Sequence, residues 1–234
     1  MTRCEFGLCD GSGFLVDEAT RESTDCRCRP LRLAAVRARR LKARIPNLYR
    51  EISFSQTDVI DMERRFPTQV RELRAYVRDI DANIDSGRSL WLAGDPGTGK
   101  TALAMIVSKT AIDAGRTVAI YSCPQLLGVI RESIDTGGVL DFLERLTEVD
   151  LLQIDDLGAE HRTDWVLEQL YSIINARYAE RRATIFTTNL SRDELSTQIG
   201  ERIVSRLEGM CGDPIPFYGH DARRVTYPLP ATPA

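Results

Sequence analysis

The stretch Gly94-Asp95-Pro96-Gly97-Thr98-Gly99-Lys100-Thr101 completes a G-x-x-x-x-G-K-T pattern, and it constrains this chain more than any other feature. Leu90-Trp91-Leu92-Ala93 before it is an apolar run suited to a buried strand, and Ala102-Leu103-Ala104-Met105-Ile106-Val107 after it opens a helix. A glycine-rich loop in that setting holds phosphate for physical reasons. Glycines let the backbone come close, successive N–H groups point inward, and the helix start adds partial positive charge. Lys100 is placed to reach the β and γ phosphates of a nucleotide, and the Thr101 hydroxyl to sit on Mg²⁺.

Around this loop the apolar pattern alternates between strand and helix. A strand is expected over 117–121, helical stretches near 124–134 and 138–147, a strand over 151–154, a helix near 162–181, a strand over 184–187 and a helix near 191–209. Upstream, Val70, Leu73, Val77 and Ile80 recur at helical spacing and predict one helix over 64–85. Such alternation means a parallel sheet with helices on both faces, an α/β P-loop architecture. Ligands in these sheets lie beyond the carboxyl ends of the strands.

Two further motifs fall at that end. Leu151-Leu152-Gln153-Ile154-Asp155-Asp156 is an apolar strand closing on two carboxylates. Asp155 at the strand tip can hold Mg²⁺, and Asp156 can orient the water that attacks a γ-phosphate. Thr187-Thr188-Asn189 closes the next strand, where the short amide of Asn189 can hydrogen-bond the same water.

Four of the six cysteines fall in the first 28 residues: Cys4, Cys9, Cys26 and Cys28. Two close pairs separated by a loop are how a segment with no core assembles four thiolates around tetrahedral Zn²⁺. In an extended Cys26-Arg27-Cys28 both sulfurs point the same way, and Gly11 and Gly13 supply a tight turn. Two disulfides or unrelated free thiols are the competing readings. Disulfides fit poorly with an intracellular nucleotide-binding protein.

The 234 residues hold one ordinary domain and a small appendage, which we divide as a zinc-binding module over 1–30, a basic helical linker over 31–45 and the nucleotide domain over 46–234. Hydrophobic content of 43% and charged content of 28% describe a soluble globular chain. No apolar run is long enough for a membrane span, and the polar, cysteine-bearing start is unlike a secretory signal, so a cytoplasmic location is expected. Nine basic residues and no acid stand between Arg27 and Arg50, which leaves a net −12 for the remainder of a chain whose total is −3. That block reads either as a contact for a polyanion or acidic partner, or as a solvated linker helix.

Together these residues resemble the AAA+ ATPases of the DnaC/IstB group, which comprises bacterial and phage helicase loaders and transposition helpers. Gly94–Thr101 is similar to Walker A, Leu151–Asp156 with Leu157-Gly158 to Walker B, and Thr187-Thr188-Asn189 to sensor 1. Ile45-Pro46-Asn47-Leu48-Tyr49-Arg50 through Phe54 is similar to the group's I-P-x-x-[YF]-R-x-x-[SA]-F lead-in, and Gly200-Glu201-Arg202-Ile203-Val204-Ser205-Arg206-Leu207 to its G-E-R-I-x-x-R-L segment. The resemblance covers about residues 45–225. It implies an ATPase using ATP and Mg²⁺, with Lys100, Asp155, Asp156, Asn189 and Arg206 catalytic, and the cysteine cluster is similar to that of DnaI-like loaders.

By the same resemblance Arg206 is an arginine finger that enters the ATP site of a neighbouring copy, so the active form is an oligomer. The residues alone also leave Arg202 open as the finger, or both arginines paired with acids such as Glu201 or Glu208. Two departures stand out: Asp156 occupies a place where many AAA+ proteins carry Glu, which implies slow turnover, and Arg223 and Arg224 lie outside any recognisable lid helix. The implied function is loading of a replicative helicase, bound through the N-terminal region, with the ATPase domain binding single-stranded DNA. A DNA-facing element is then expected over about 123–148, although Arg131 and Arg145 are its only cations. The alternatives are a transposition helper binding duplex DNA and a transposase, and a zinc-dependent adaptor whose ATP site only fixes shape. A small-molecule kinase fits less well, because no arginine-rich lid is visible and the Asp-Asp/Asn arrangement suits attack by water.

Overall fold

The structure is a computed structural model that describes residue 4 and residues 6–16, 22–29 and 45–221. The basic linker, Ile45 aside, and Arg223 and Arg224 lie outside the described residues. The cysteine segment contributes a short antiparallel pair, β1 (Phe14–Val16) and β2 (Ser23–Asp25), with Phe14 opposite Asp25 and Val16 opposite Ser23.

After a 3₁₀ turn at Asn47–Tyr49 come three helices, α1 (Thr57–Arg65), α2 (Pro67–Arg78) and α3 (Ile80–Asp85). The single helix expected over 64–85 is thus divided twice. Pro67 has no N–H to donate and disfavours helical backbone before it, so Phe66 sits at φ −131°, ψ 59° and α2 starts afresh on the proline. The second break is at Asp79, at φ −109°, ψ 37°.

The main body then runs β3 (Leu90–Gly94), α4 (Lys100–Asp113), β4 (Val118–Ser122), α5 (Cys123–Asp135), α6 (Val139–Glu148) and β5 (Leu151–Asp155). It continues with α7 (Asp164–Ala179), β6 (Ala183–Thr188), α8 (Arg192–Ile199), α9 (Glu201–Cys211) and β7 (Ile215–Phe217). The helix expected near 191–209 is also two, because Gly200 adopts φ 93°, ψ 145°, a conformation open to glycine. A capping box starts α8, with Ser191 and Glu194 satisfying each other's backbone N–H.

Five parallel strands form one sheet in the order β4-β5-β6-β3-β7. Side chains alternate across it, and both faces are apolar. Trp91, Ala93, Leu152, Ile154 and Phe186 face a core with Leu126, Ile130, Leu146, Leu170, Ile174 and Leu207. Leu90, Leu92, Leu151 and Ile185 face the other, with Val70, Leu73, Leu103, Met105 and Val107. This is the doubly covered parallel sheet that the strand–helix alternation predicts. β7 had no forecast: three residues around Pro216 are too few for a periodic pattern.

One buried cation locks the sheet to its helices. Arg177 of α7 is fully buried and donates to the carbonyls of Leu146, Val149 and Ala183 and to the Thr184 hydroxyl, at 2.6–3.0 Å. Burial first, and Arg182 second, depress its pKa to about 9. Among the described residues no helix is long and apolar enough to cross a membrane.

Candidate functional site

The phosphate loop is shaped by glycines in the left-handed region and braced by the far end of the chain. Gly94, Gly97 and Gly99 have φ of 137°, 72° and 100°. A Cβ on Gly94 would lie 2.2 Å from the Phe217 carbonyl oxygen, so only glycine lets β7 pass. Asp95 N–H donates to Phe217 O at 2.9 Å, and Gly219 N–H returns a bond to the Asp95 carboxylate at 2.7 Å. Thr98 Oγ1 donates to Asp95 O at 2.8 Å, closing the turn from within. Lys100 is 5% exposed, and its Nζ donates to the carbonyls of Gly94 and Asp95 at 2.8 and 2.7 Å. Its ammonium is therefore fixed over the loop by the loop itself.

At the carboxyl end of the sheet the predicted residues meet. Thr101 Oγ1 donates to one Asp155 oxygen at 3.1 Å, and Thr187 Oγ1 donates to the other at 2.7 Å. Burial pushes the Asp155 carboxyl above its ordinary range, and these hydroxyls partly restrain it. A hydroxyl and a carboxylate side by side at the loop's helix start are the donor set that Mg²⁺ takes beside nucleotide phosphates, so the residues fit that ion. Asp156 follows at φ 54°, uncommon for a residue other than glycine, with its N–H donating to Thr187 Oγ1 at 3.0 Å. Sequence reasoning quoted Thr187 in its motif but gave the role to Asn189 alone, yet the one Thr187 hydroxyl ties both aspartates to β6.

A cleft of about 530 Å³ opens over these residues, lined by Gly97 to Ala102, Asp156 and Asn189. Its opposite wall comes from the 3₁₀ turn, α1 and the stretch between them: Leu48, Tyr49, Ile52, Val59 and Met62 form an apolar part, and Gln56, Asp58, Asp61 and Arg65 a polar one. That wall also escaped sequence reasoning. Leu48, Tyr49 and Ile52 stand in the quoted lead-in segment and Val59 and Met62 just after it, but nothing local says that they face the loop. Packing brings Met62 so close that a Cβ on Gly99 would meet its sulfur at 2.4 Å. A glycine-rich loop with a lysine on one side and apolar side chains with a few polar ones on the other suit a nucleotide, charged at one end and aromatic at the other.

Arg206 lies apart from this cleft. On α9 it is half-buried, its Nε donating to Asn175 Oδ1 at 3.1 Å and its guanidinium lying 4.8 Å from the Tyr178 ring centre. The acids that offered it an ion pair are taken: Arg192 holds Glu201 at 3.0 Å and Glu208 at 2.9 Å. Arg202 is exposed on the same helix. In the expected DNA-facing element, Arg131 stacks 4.9 Å over Trp165 and Arg145 pairs with Asp141 at 3.1 Å, so both of its cations have partners within the chain.

The four N-terminal cysteines converge. Their sulfurs all lie within 4.8 Å of one another, with Cys4 and Cys26 at 3.8 Å and Cys9 and Cys28 at 3.6 Å. Zn–S bonds of about 2.3 Å in a tetrahedron place sulfurs about 3.8 Å apart, so the set fits zinc. Burial raises the Cys4 thiol, but backbone N–H groups of Cys9, Leu8 and Phe6 outweigh it together and leave it at about 6. Cys28, by contrast, is pushed up to about 12, first by burial and then by its neighbouring sulfurs. Cys26-Arg27-Cys28 is not extended as expected: Arg29 N–H bonds Cys26 O at 2.9 Å, and the pair curls into a turn. Gly7, at φ 63°, supports the matching turn after Cys4, while Gly13 accepts from Cys26 N–H at 2.9 Å.

Comparison with known proteins agrees with this geometry. A family model described as IstB-like ATP binding protein matches residues 15–207. The chain is 30% identical over 165 residues to the uncharacterized protein YdaV of Escherichia coli K12, covering 70% of this chain and 64% of that one. It is 29% identical over 136 residues to the replicative helicase loader DnaC of the same strain, covering 57% of this chain and 54% of DnaC. The chain thus spans between half and two thirds of these relatives. Its fold superposes on the crystal structure of the DnaC helicase loader with a TM-score of 0.63 and 25% identity, over 74% of this chain and 99% of that one.

Proposed function

Given that this chain belongs to the IstB-like ATP-binding protein family, with an AAA+ P-loop fold, we propose that it is an ATP-driven loader of a replicative helicase. The observation that carries the reading is the joining of Thr101, Asp155 and Thr187 under a cleft that also holds Lys100, Asp156 and Asn189. The similarity to DnaC supports the choice of helicase as partner.

In this reading Gly94–Thr101 binds the nucleotide phosphates, and Lys100 exchanges its two loop carbonyls for phosphate oxygens. Thr101 and Asp155 hold Mg²⁺, which when bound neutralises charge on those phosphates. Asp156 orients the attacking water and Asn189 shares it. Arg206 supplies positive charge to the site of a neighbouring copy, since it does not reach its own. Cys4, Cys9, Cys26 and Cys28 hold Zn²⁺, and the module they shape, with the basic linker after it, binds the helicase. Single-stranded DNA binds the assembled ATPase domains.

The IstB-like description of the family supports a second reading, a transposition helper that binds duplex DNA and a transposase. Fluorescence anisotropy of the full chain with single-stranded and duplex oligonucleotides, with and without ATP, separates the two. A loader binds single strands better, and only with ATP. Tight single-strand binding by a nucleotide-free monomer, or a preference for duplex, counts against it.

A further inference from the structure

Arg206 is held in an unusual way for an arginine on a charged helix. Among the described residues its contacts are neutral: the Asn175 amide and the Tyr178 ring. Asn175 and Tyr178 stand three residues apart on α7 and so share a face, one holding the Nε edge of the guanidinium and the other lying against its plane. Tyr178, itself 39% exposed, can take that place because Gly209 stands opposite, where a Cβ would come within 2.8 Å of Cε2. The helix that bears Arg206 also bears Glu201 and Glu208, five and two residues away, spacings that turn them from its face. Arg192, at the start of α8, occupies both. Glu201 is held below its usual range first by that arginine and then by Ser196.

A guanidinium held by an amide and a ring keeps its charge available, whereas one held by a carboxylate does not. Resting on the finger reading above, we infer that Asn175 and Tyr178 are positioning residues that aim Arg206 at a phosphate bound by a neighbouring copy. The ligand class is the anionic γ-phosphate end of a nucleoside triphosphate.

The test is ATP turnover per subunit by the assembled full-length protein at saturating ATP, measured beside ATP affinity and melting temperature. Tyr178→Leu should lower kcat about tenfold or more, with ATP affinity unchanged, as misplacement of a catalytic group does. Tyr178→Phe keeps the ring and should turn over like the parent. Asn175→Asp places a carboxylate against Arg206: it should leave the melting temperature equal or higher, and yet lower kcat. A merely structural contact would give no loss from that change. Asn175→Asp turning over like the parent overturns the inference, whether or not Tyr178→Leu folds. Arg206→Ala turning over like the parent overturns instead the finger reading beneath it.

Discussion

The phosphate loop and the cysteine cluster are both small sites made of backbone turns and a few reactive side chains, but their shapes have opposite origins. Behind the loop stand a five-stranded sheet and two apolar cores, so the loop is the visible edge of a large folded body. The cysteine cluster has Cys4, Cys26 and Cys28 as its own buried core, with Cys9 and Leu15 against them and a pair of three-residue strands beside them. In the first case the fold makes the site. In the second, on the zinc reading, the site makes the fold, because the little apolar surface among the described residues cannot offset the entropy of ordering them.

On the zinc reading proposed above, the sharpest way to break this contrast is to remove the metal. Chelation of zinc, or Cys28→Ser, should abolish hydrogen-exchange protection over residues 6–16 and 22–29, since structural zinc in small modules supplies on the order of 10 kcal/mol of folding free energy. The melting transition of the nucleotide domain should not move; a common loss of both would show that the two regions are one unit. Next in size is Arg177→Met, which leaves the carbonyls of Leu146, Val149 and Ala183 without their donor. Each buried acceptor left without a partner costs about 1–3 kcal/mol, a loss to be read from urea denaturation, while the cysteine module keeps its protection.

Smaller in energy is Lys100→Ala, which should weaken ATP binding about a hundredfold or more by calorimetry and leave the melting temperature within a degree or two, as loss of one preorganised charged donor does. A large fall in stability would mean that the lysine shapes the loop as well as serving it. Smallest is Ser191→Ala, which removes the cap of α8 and should cost about 1 kcal/mol. Ser191 N–H and then its hydroxyl hold Glu194 below its usual 4.5, so this part of the stability is present above that pH and fades as pH falls through the lower folded value. The gap between the parent and Ser191→Ala should therefore narrow in acid by the part due to the hydroxyl-to-Glu194 bond, while the part due to the cap bond from Glu194 N–H persists.

What the sequence disclosed was whatever is contiguous. Gly94–Thr101, Asp155-Asp156 and Asn189 each sit at the end of a strand, and a strand's end is set by its own apolar run, so their convergence follows from the parallel topology. The cysteine pairs were legible by spacing, although the turn at Cys26–Arg29 was not, because two residues cannot reveal a backbone curl. Distant pairings stayed hidden. The apolar cleft wall of Leu48, Tyr49 and Met62 depends on how α1 packs over the loop, and the division of residues 64–85 turned on Pro67, whose effect on Phe66 the apolar periodicity overrode. Arg192 could be matched to Glu201 and Glu208 only once Gly200 had bent α8 against α9.

β7 bears on how the molecule comes into being. The loop that it braces is translated near the middle of the chain, yet the Gly219 to Asp95 contact joins residues 124 positions apart. Every motif residue from Gly94 to Arg206 has left the ribosome before Ile215 does. A nascent or prematurely terminated chain can thus carry the whole motif set and still lack the outer flank of its cradle. The outer flank of the phosphate loop is completed by residues that bear no motif and are made after all of those that do.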